Sequence, residues 1–315
     1  MKYLPFELHC HTVHSDGKMT PDVLAERIRE DGLKGFALTD HNTVSGWDEI
    51  RKAAQKENLI VLTGIEWTTF FGHLTVIGEN ALVRDWRDAS PATIAGLLKD
   101  LRAAGNVVGM AHPYRIGYPI CTGGSDDWGL SIYGGFTHYE VWSYLSPQKN
   151  DTNRKAEERY RALVASGERP AVAYGRDFHS VGEGAYGMTF LGMETENALG
   201  AMEAIKAGRT YISTGVELHA ECVQNGKNYH FGDTLAAGNV TLEADMRIWN
   251  AEYAKKYGVV PKGFTLSGTA IEKPVAWTGE RISLDLKAGY LMITADGNIE
   301  NQEGHVALCT PYFFF

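Results

Sequence analysis

The feature that most restricts the fold is a rhythm: a short apolar run, a histidine or carboxylate at its end, then an amphipathic stretch, repeated along the first two thirds of the chain. Tyr3, Leu4, Phe6 and Leu8 lead into His9-Cys10-His11, and Gly35 to Thr39 leads into Asp40-His41-Asn42. Leu59 to Ile65 ends at Glu66, Leu74 to Ile77 is entered through His73, and Val107 to Ala111 ends at His112-Pro113. A strand from His138 to Trp142 carries Glu140, and Ala171 to Tyr174 delivers Gly175-Arg176-Asp177-Phe178-His179. Helix signals lie between these runs. Thr20-Pro21-Asp22 offers an N-cap hydroxyl, proline at the first helical position and an acid in the first turn, for a helix reaching about Asp31. Further helices are expected at Gly46 to Asn58, from Ser90-Pro91 to Ala104, at Asn150 to Ala165 and at Ala198 to Ala207. Strands alternating with helices imply a mainly parallel α/β sheet with its chemistry at the carboxyl ends of the strands.

The texture changes at Val216. From there, short alternating runs (Val216 to Val223, Val240 to Ile248, Arg281 to Leu286, Tyr290 to Ala295, His305 to Thr310) are separated by turn signals such as Asn225-Gly226 and Asp296-Gly297. That pattern predicts a smaller all-β, sandwich-like domain at 216–315 after an α/β domain at 1–215. A length of 315 residues, 44% of them hydrophobic, suits one large domain and a smaller one. Residues 114–135 show no periodicity and read as a lid or substrate-contact loop. The aromatic tail Tyr312 to Phe315 is expected to pack on the body or in an interface.

A net charge of −9 disfavours an extended grip on nucleic-acid backbone. The four cysteines, Cys10, Cys121, Cys222 and Cys309, show no paired spacing, which argues against a disulfide framework or a thiolate zinc site and fits a cytoplasmic setting. No apolar run approaches the roughly 18 residues of a membrane helix, and the opening residues leave no room for a signal peptide. The sequence does not fix an oligomeric state.

On a strand, His9 and His11 project to one face while Cys10 points to the other, and Asp177 and His179 repeat that spacing. The turn Ser15-Asp16-Gly17 can bring Asp16 back towards the same mouth. The collected strand ends supply His9, His11, Asp16, His41, Glu66, His73, His112, Asp177 and His179. Imidazoles and carboxylates without thiolate suit Zn, Mn or Fe. Nine such groups exceed what one ion takes, so two or three divalent metal ions are expected, with a carboxylate bridging a pair, a device for hydrolysis. His14 reads as a neighbour of the site or a solvent-facing residue. Asp40 either orients an imidazole or caps the following turn, and Glu140 is either a support for a ligand or an ordinary buried carboxylate. Arg115, Arg176 and Arg209 are candidates for clamping a substrate phosphate or carboxylate, with Arg176 favoured for its place beside Asp177.

The runs His9-Cys-His-Thr-Val-His-Ser-Asp-Gly, Thr39-Asp40-His41-Asn42-Thr43, Gly64-Ile65-Glu66, Ala111-His112-Pro113 and Arg176-Asp177-Phe178-His179 resemble the motifs of the polymerase and histidinol phosphatase (PHP) family, in the same order. The resemblance implies a distorted (β/α)7 barrel over residues 1–215 with a two- or three-metal centre. It places one ion at His9, His11, Glu66 and Asp177, with Glu66 bridging to a second held also by His73 and His112. Asp16, His41 and His179 are implied for a third, Asp16 standing where some members have histidine. Glu66, Asp177 and His179 are implied to be central to catalysis. The run Ala207 to Gly215 with its β-rich tail is similar to a branch that includes carbamate-cleaving hydrolases. The activity implied is a phosphoesterase acting on a small phosphorylated molecule through a metal-bound hydroxide; the alternative is a carboxylic ester, amide or carbamate hydrolase using the same centre. A non-catalytic scaffold is disfavoured because every ligand position holds a ligand-type residue.

Overall fold

The computed structural model describes residues 1–115, 128, 135–144, 150–182, 184 and 187–315. In chain order, the first strands are β1 (Lys2–Cys10), β2 (Gly35–Leu38), β3 (Ile60–Thr69), β4 (Gly72–Ile77), β5 (Val107–Met110), β6 (His138–Ser143), β7 (Ala171–Gly175), β8 (Met188–Met193) and β9 (Thr210–Ser213). The helices among them are α1 (Pro21–Glu30), α2 (Trp47–Lys56), α3 (Ile94–Ala103), α4 (Asp151–Ala165) and α5 (Ala198–Lys206). The start signals act as expected. Thr20 Oγ1 accepts the Val23 N–H ahead of Pro21, and α1 buries Leu24, Ala25 and Ile28.

The strands follow the order β9-β8-β1-β2-β3-β4-β5-β6-β7 in one mixed sheet. β1, β2 and β3 are parallel, as are β5, β6 and β7. The expectation of a mainly parallel sheet missed the reversal between them: β3 and β4 form an antiparallel hairpin closed at Thr69 and Gly72, and β4 runs antiparallel to β5 as well. Its tip, Phe70-Phe71, carries none of the usual turn residues, so the sequence did not announce it. The sheet also curls. Cys10 bridges Phe178, the His11 N–H donates to the Phe178 carbonyl at 2.9 Å, and the Phe178 N–H donates to the His9 carbonyl at 3.0 Å. The carboxyl end of β1 therefore lies against the segment leaving β7.

Beyond Ser213 come β10 (Val216–Gln224), β11 (Lys227–Tyr229), β12 (Thr234–Leu235), β13 (Gly238–Ile248), β14 (Val260–Ser267), β15 (Val275–Trp277), β16 (Glu280–Leu286), β17 (Gly289–Ile299), β18 (Gln302–Cys309) and β19 (Tyr312–Phe314). A four-stranded sheet, β11-β10-β13-β16, shares one core with β14, β17 and β18: Leu218, Cys222 and Leu242 join Leu266, Ile293 and Ala295. β18 in turn pairs with β9, so these strands continue the large sheet. The C-terminal part also contains a helix, α6 (Ala251–Tyr257), which the all-β expectation omitted. Its signals are plain in retrospect: Asn250 Oδ1 accepts the N–H groups of Glu252 and Tyr253, and Gly258 ends it at φ 60°.

Asn225-Gly226 turns the chain between β10 and β11, with φ values of 52° and 75°. Asp296-Gly297, in contrast, lies inside β17 at a bulge, and the turn falls at Glu300-Asn301, both left-handed at 50° and 64°. The tail packs on the body: Tyr312, Phe313 and Phe314 are buried as β19 between β12 and β17, while Phe315 is 74% exposed. Most of the loop expected at 114–135 lies outside the described residues, as does Cys121.

Candidate metal centre

Strand ends bring the nine sequence-selected ligands together. His9 and His11 end β1, His41 follows β2 and bridges Glu66 on β3, and His73 faces Thr68 across the β3–β4 hairpin. His112 follows β5, and Asp177 and His179 follow β7. Asp16 reaches the cluster because the loop after β1 folds back on itself; a Cβ at Gly17 would stand 2.5 Å from the His11 carbonyl, so only glycine permits that path.

Three overlapping sets have ligand-type atoms within 4.8 Å of one another: His9, His11, Glu66 and Asp177; His11, Asp16, His41 and His179; and His41, Glu66 and His73. His112 adds to the last, its Nε2 2.9 Å from Glu66 Oε1, beside His73 Nδ1 at 2.7 Å from the same oxygen. The second oxygen, Glu66 Oε2, lies 3.1 Å from His9 Nε2, 3.3 Å from His11 Nε2 and 3.1 Å from His41 Nδ1. One carboxylate thus sits between two groups of imidazoles.

The residues fit divalent ions on an observation independent of any motif. His9 Nε2, both His11 ring nitrogens, Glu66 Oε2 and Asp177 Oδ1 are buried, converge on one another and make no hydrogen bond. Buried polar atoms left in that state cost free energy unless something fills the space between them, and a set of imidazole and carboxylate donors without sulfur is what Zn, Mn or Fe accept. The charges agree. Burial acts to raise the Glu66 carboxyl, but His9, His73 and His41 hold it well below the carboxylate range, and His9, His11 and His112 do the same for Asp177. His9 is raised well above its ordinary value: burial opposes this, but Glu140, Glu66 and Asp177 outweigh it. Burial pulls His11 down to about 4, whereas His179, despite burial, is pushed up to about 9 by Asp16 and Asp177.

Supporting groups fix the candidate ligands. Glu140 Oε1 accepts the His9 Nδ1–H at 2.8 Å, turning Nε2 towards the cluster, and Oε2 accepts the His112 N–H at 2.6 Å. A Cβ on Gly175 would fall 2.3 Å from Glu140 Oε1, so that contact requires glycine. Asp40 resolves as a loop organiser, not an imidazole partner: it accepts the Thr12 N–H and hydroxyl, each at 2.7 Å, and the Ser15 hydroxyl at 2.6 Å. His14 turns away to Ser45 and Glu49. Backbone strain gathers here too, with Asn42, His112, Tyr114, Tyr144 and Asp177 at φ between 25° and 69°.

The arginines divide. Arg115 reaches the cluster, donating to Asp177 Oδ2 while its guanidinium lies 4.9 Å from the Tyr144 ring centre. Arg176 does not reach it. Its side chain is 0% exposed, donates to Asp31 Oδ2 at 2.8 Å, approaches Glu7 Oε2 at 3.6 Å and stacks 3.9 Å over Phe178, which leaves no face for a substrate. The reason is strand alternation, which turns Arg176 to the side opposite Asp177; the left-handed residue at Asp177 follows it and does not bring it back. Arg209 pairs with Glu194 at the other end of β1, where its carbonyl accepts the Gly192 N–H opposite Tyr3. Sequence reasoning passed over Glu7, Asn42 and Thr68. Asn42 brackets the Thr68 backbone with two hydrogen bonds of 3.0 Å, and the Thr68 hydroxyl meets His41 Nδ1; an asparagine in a turn after a strand gives no distinctive signal of that.

A mixed α/β sheet with imidazoles and carboxylates gathered at its strand ends is the arrangement the motifs led one to expect. Residues 7–164 match the PHP domain family, and the chain belongs to it. It is similar to a Haemophilus influenzae 5'-3' exoribonuclease, 39% identical over 64 residues, which are 20% of this chain and 23% of that protein. It is also similar to a Chromobacterium violaceum 3',5'-nucleoside bisphosphate phosphatase, 33% identical over 91 residues, 29% of this chain and 31% of that one. The chain thus matches less than a third of the length of either relative. Among solved structures, a two-domain Bacteroides vulgatus protein containing a predicted PHP-like metal-dependent phosphoesterase superposes with a TM-score of 0.53 at 18% identity, over 98% of this chain and 95% of that one, a likeness of fold along nearly the whole length.

Proposed function

We propose that this chain is a metal-dependent phosphoesterase with a two- or three-metal centre, acting on a small phosphorylated substrate. The observation that carries the reading is the set of buried, converging and hydrogen-bond-free donor atoms around Glu66 Oε2. His9, His11, Glu66 and Asp177 would hold one ion, Glu66, His73 and His112 a second, and Asp16, His41 and His179 a third. Divalent ions bound there lower the pKa of water and neutralise charge on a transferring phosphoryl group. Residues 1–215 would form the distorted seven-stranded barrel and residues 216–315 the accompanying module.

The chain's own residues supply the rest. Glu140 holds the imidazole of His9 and the backbone of His112 in place. Arg115, steadied between Asp177 and Tyr144 and 36% exposed, offers a guanidinium fork to phosphoryl oxygens at the mouth. His179 donates its Nδ1–H to the Asp177 carbonyl at 2.7 Å, which turns its Nε2 towards Asp16. The relatives favour phosphorus over carbon as the centre attacked, since the names of both describe phosphoester cleavage.

The test is an assay of the chain loaded with zinc or manganese against a generic phosphate monoester, a nucleoside bisphosphate and a generic carboxylic ester. Phosphate release is the expected result. Cleavage of the carboxylic ester alone would replace this reading with the carbon-centred one.

A further inference from the structure

Every buried backbone N–H needs a partner, and the metal centre interrupts two strands in ways that leave one each. Pairing between β1 and β2 shifts by one residue between Glu7 and Cys10, a bulge that takes the His9 N–H out of the ladder. Across the cluster, the turn at Asp177 breaks β7 after Gly175, so the Arg176 N–H also has no strand to join. Both groups go to the same atom. Glu7 Oε1 accepts the His9 N–H at 3.0 Å and the Arg176 N–H at 2.8 Å. Glu7 is 0% exposed, and its other oxygen faces the Arg176 guanidinium, which is tied in turn to Asp31 at the end of α1.

We propose that Glu7 is a positioning residue of the metal centre: one carboxylate oxygen joins the His9 backbone to the Arg176 backbone and, with the direct Phe178 links, holds the spacing between the His9-His11 and Asp177-His179 pairs. Glu7 stands two residues before His9, and its carboxylate reaches the His9 backbone across the bulge. The two segments also meet directly, the Phe178 N–H on the His9 carbonyl at 3.0 Å and the His11 N–H on the Phe178 carbonyl at 2.9 Å; Glu7 adds a link two residues earlier on the second segment, at Arg176. Arg176, adjacent in sequence to a ligand yet turned inward, is then the cationic partner that makes a buried carboxylate tenable at this position.

The inference rests on the metal reading but not on the reaction, and its tests read binding and backbone protection. Chelator competition with zinc or manganese alone compares Glu7→Gln, which keeps the acceptor, with Glu7→Leu, which fills similar volume without one. Glu7→Leu is expected to bind metal about 10–100-fold more weakly, the range for lost supports of a ligand, and Glu7→Gln to stay within about tenfold of the parent. Unchanged affinity in Glu7→Leu, or equal losses in both variants, would overturn the proposal. Because Glu7→Leu can also unfold the chain, amide hydrogen exchange in the metal-free parent protein gives an independent reading. The His9 and Arg176 amides should both exchange at the slow rate of the adjoining strands; exchange of either at the rate of exposed loops would refute the assignment.

Discussion

Glu157 on α4 joins the two parts of the fold, and removing its charge has a calculable effect. Its Oε1 accepts hydrogen bonds from Arg161 Nη2 at 2.8 Å and pairs with His305 Nδ1 of β18 at 2.9 Å, while Oε2 accepts the Trp142 indole N–H at 3.2 Å. Arg161 also donates to Ser267 and Thr294, so the cluster pins α4 to β14, β17 and β18. Burial acts to raise the carboxyl, but His305 and Arg161 outweigh it and hold it at about 2 against an ordinary 4.5. A depressed folded-state pKa stabilises the fold above the unfolded value and ceases to do so as pH falls through the folded one. At about 1.4 kcal/mol per pKa unit the effect is about 3 kcal/mol, present in full above pH 4.5 and lost between about 4.5 and 2. Urea unfolding of the parent and of Glu157→Gln, both with chelator and from pH 7 down to pH 2, isolates it, because other carboxylates titrate equally in the two proteins. The stability gap should be present above pH 4.5 and shrink as the pH falls from 4.5 towards 2. A gap that stays constant with pH, or none at pH 7, would show that Glu157 is not held by charge.

Three further results are expected. Glu140→Ala should weaken zinc or manganese binding about 10–100-fold in chelator competition, since it frees the His9 ring and leaves the His112 N–H unpaired. Arg115→Ala should raise the KM for a phosphate ester about 10-fold or more, the value of a lost charge-assisted hydrogen bond, whereas Arg209→Ala, at the far end of β1, should leave steady-state kinetics unchanged. Cys10→Ala should keep the parent's metal content by elemental analysis, because Cys10 points away from His9 and His11 into the apolar core, at a cost in unfolding free energy of about 1 kcal/mol.

The candidate ligands were legible because strand geometry alone groups residues two apart, and because most of them sit where an apolar run starts or stops. His9 with His11, and Asp177 with His179, are local patterns that survive any uncertainty about the rest of the fold. What escaped was set by backbone conformation at single residues. Arg176 kept the direction that strand alternation gives it, away from Asp177, the bulge at Asp296 absorbed a sequence that usually turns, and the turn fell at Glu300-Asn301 instead. Glu7 was invisible for another reason. Its role depends on reaching the Arg176 backbone 169 residues further along the chain, and nothing in a local window carries that information. Glu140 stood between two readings for the same cause, because only the tertiary fold brings it to His9 and His112.

Everything proposed for this chain depends on the nine-residue cluster holding metal. Elemental analysis of the chain after reconstitution with zinc or manganese and removal of free ions tests it directly. Two to three ions per chain are expected, with loss of bound metal in His9→Ala and Asp177→Ala. A folded chain that retains no metal under these conditions would contradict it.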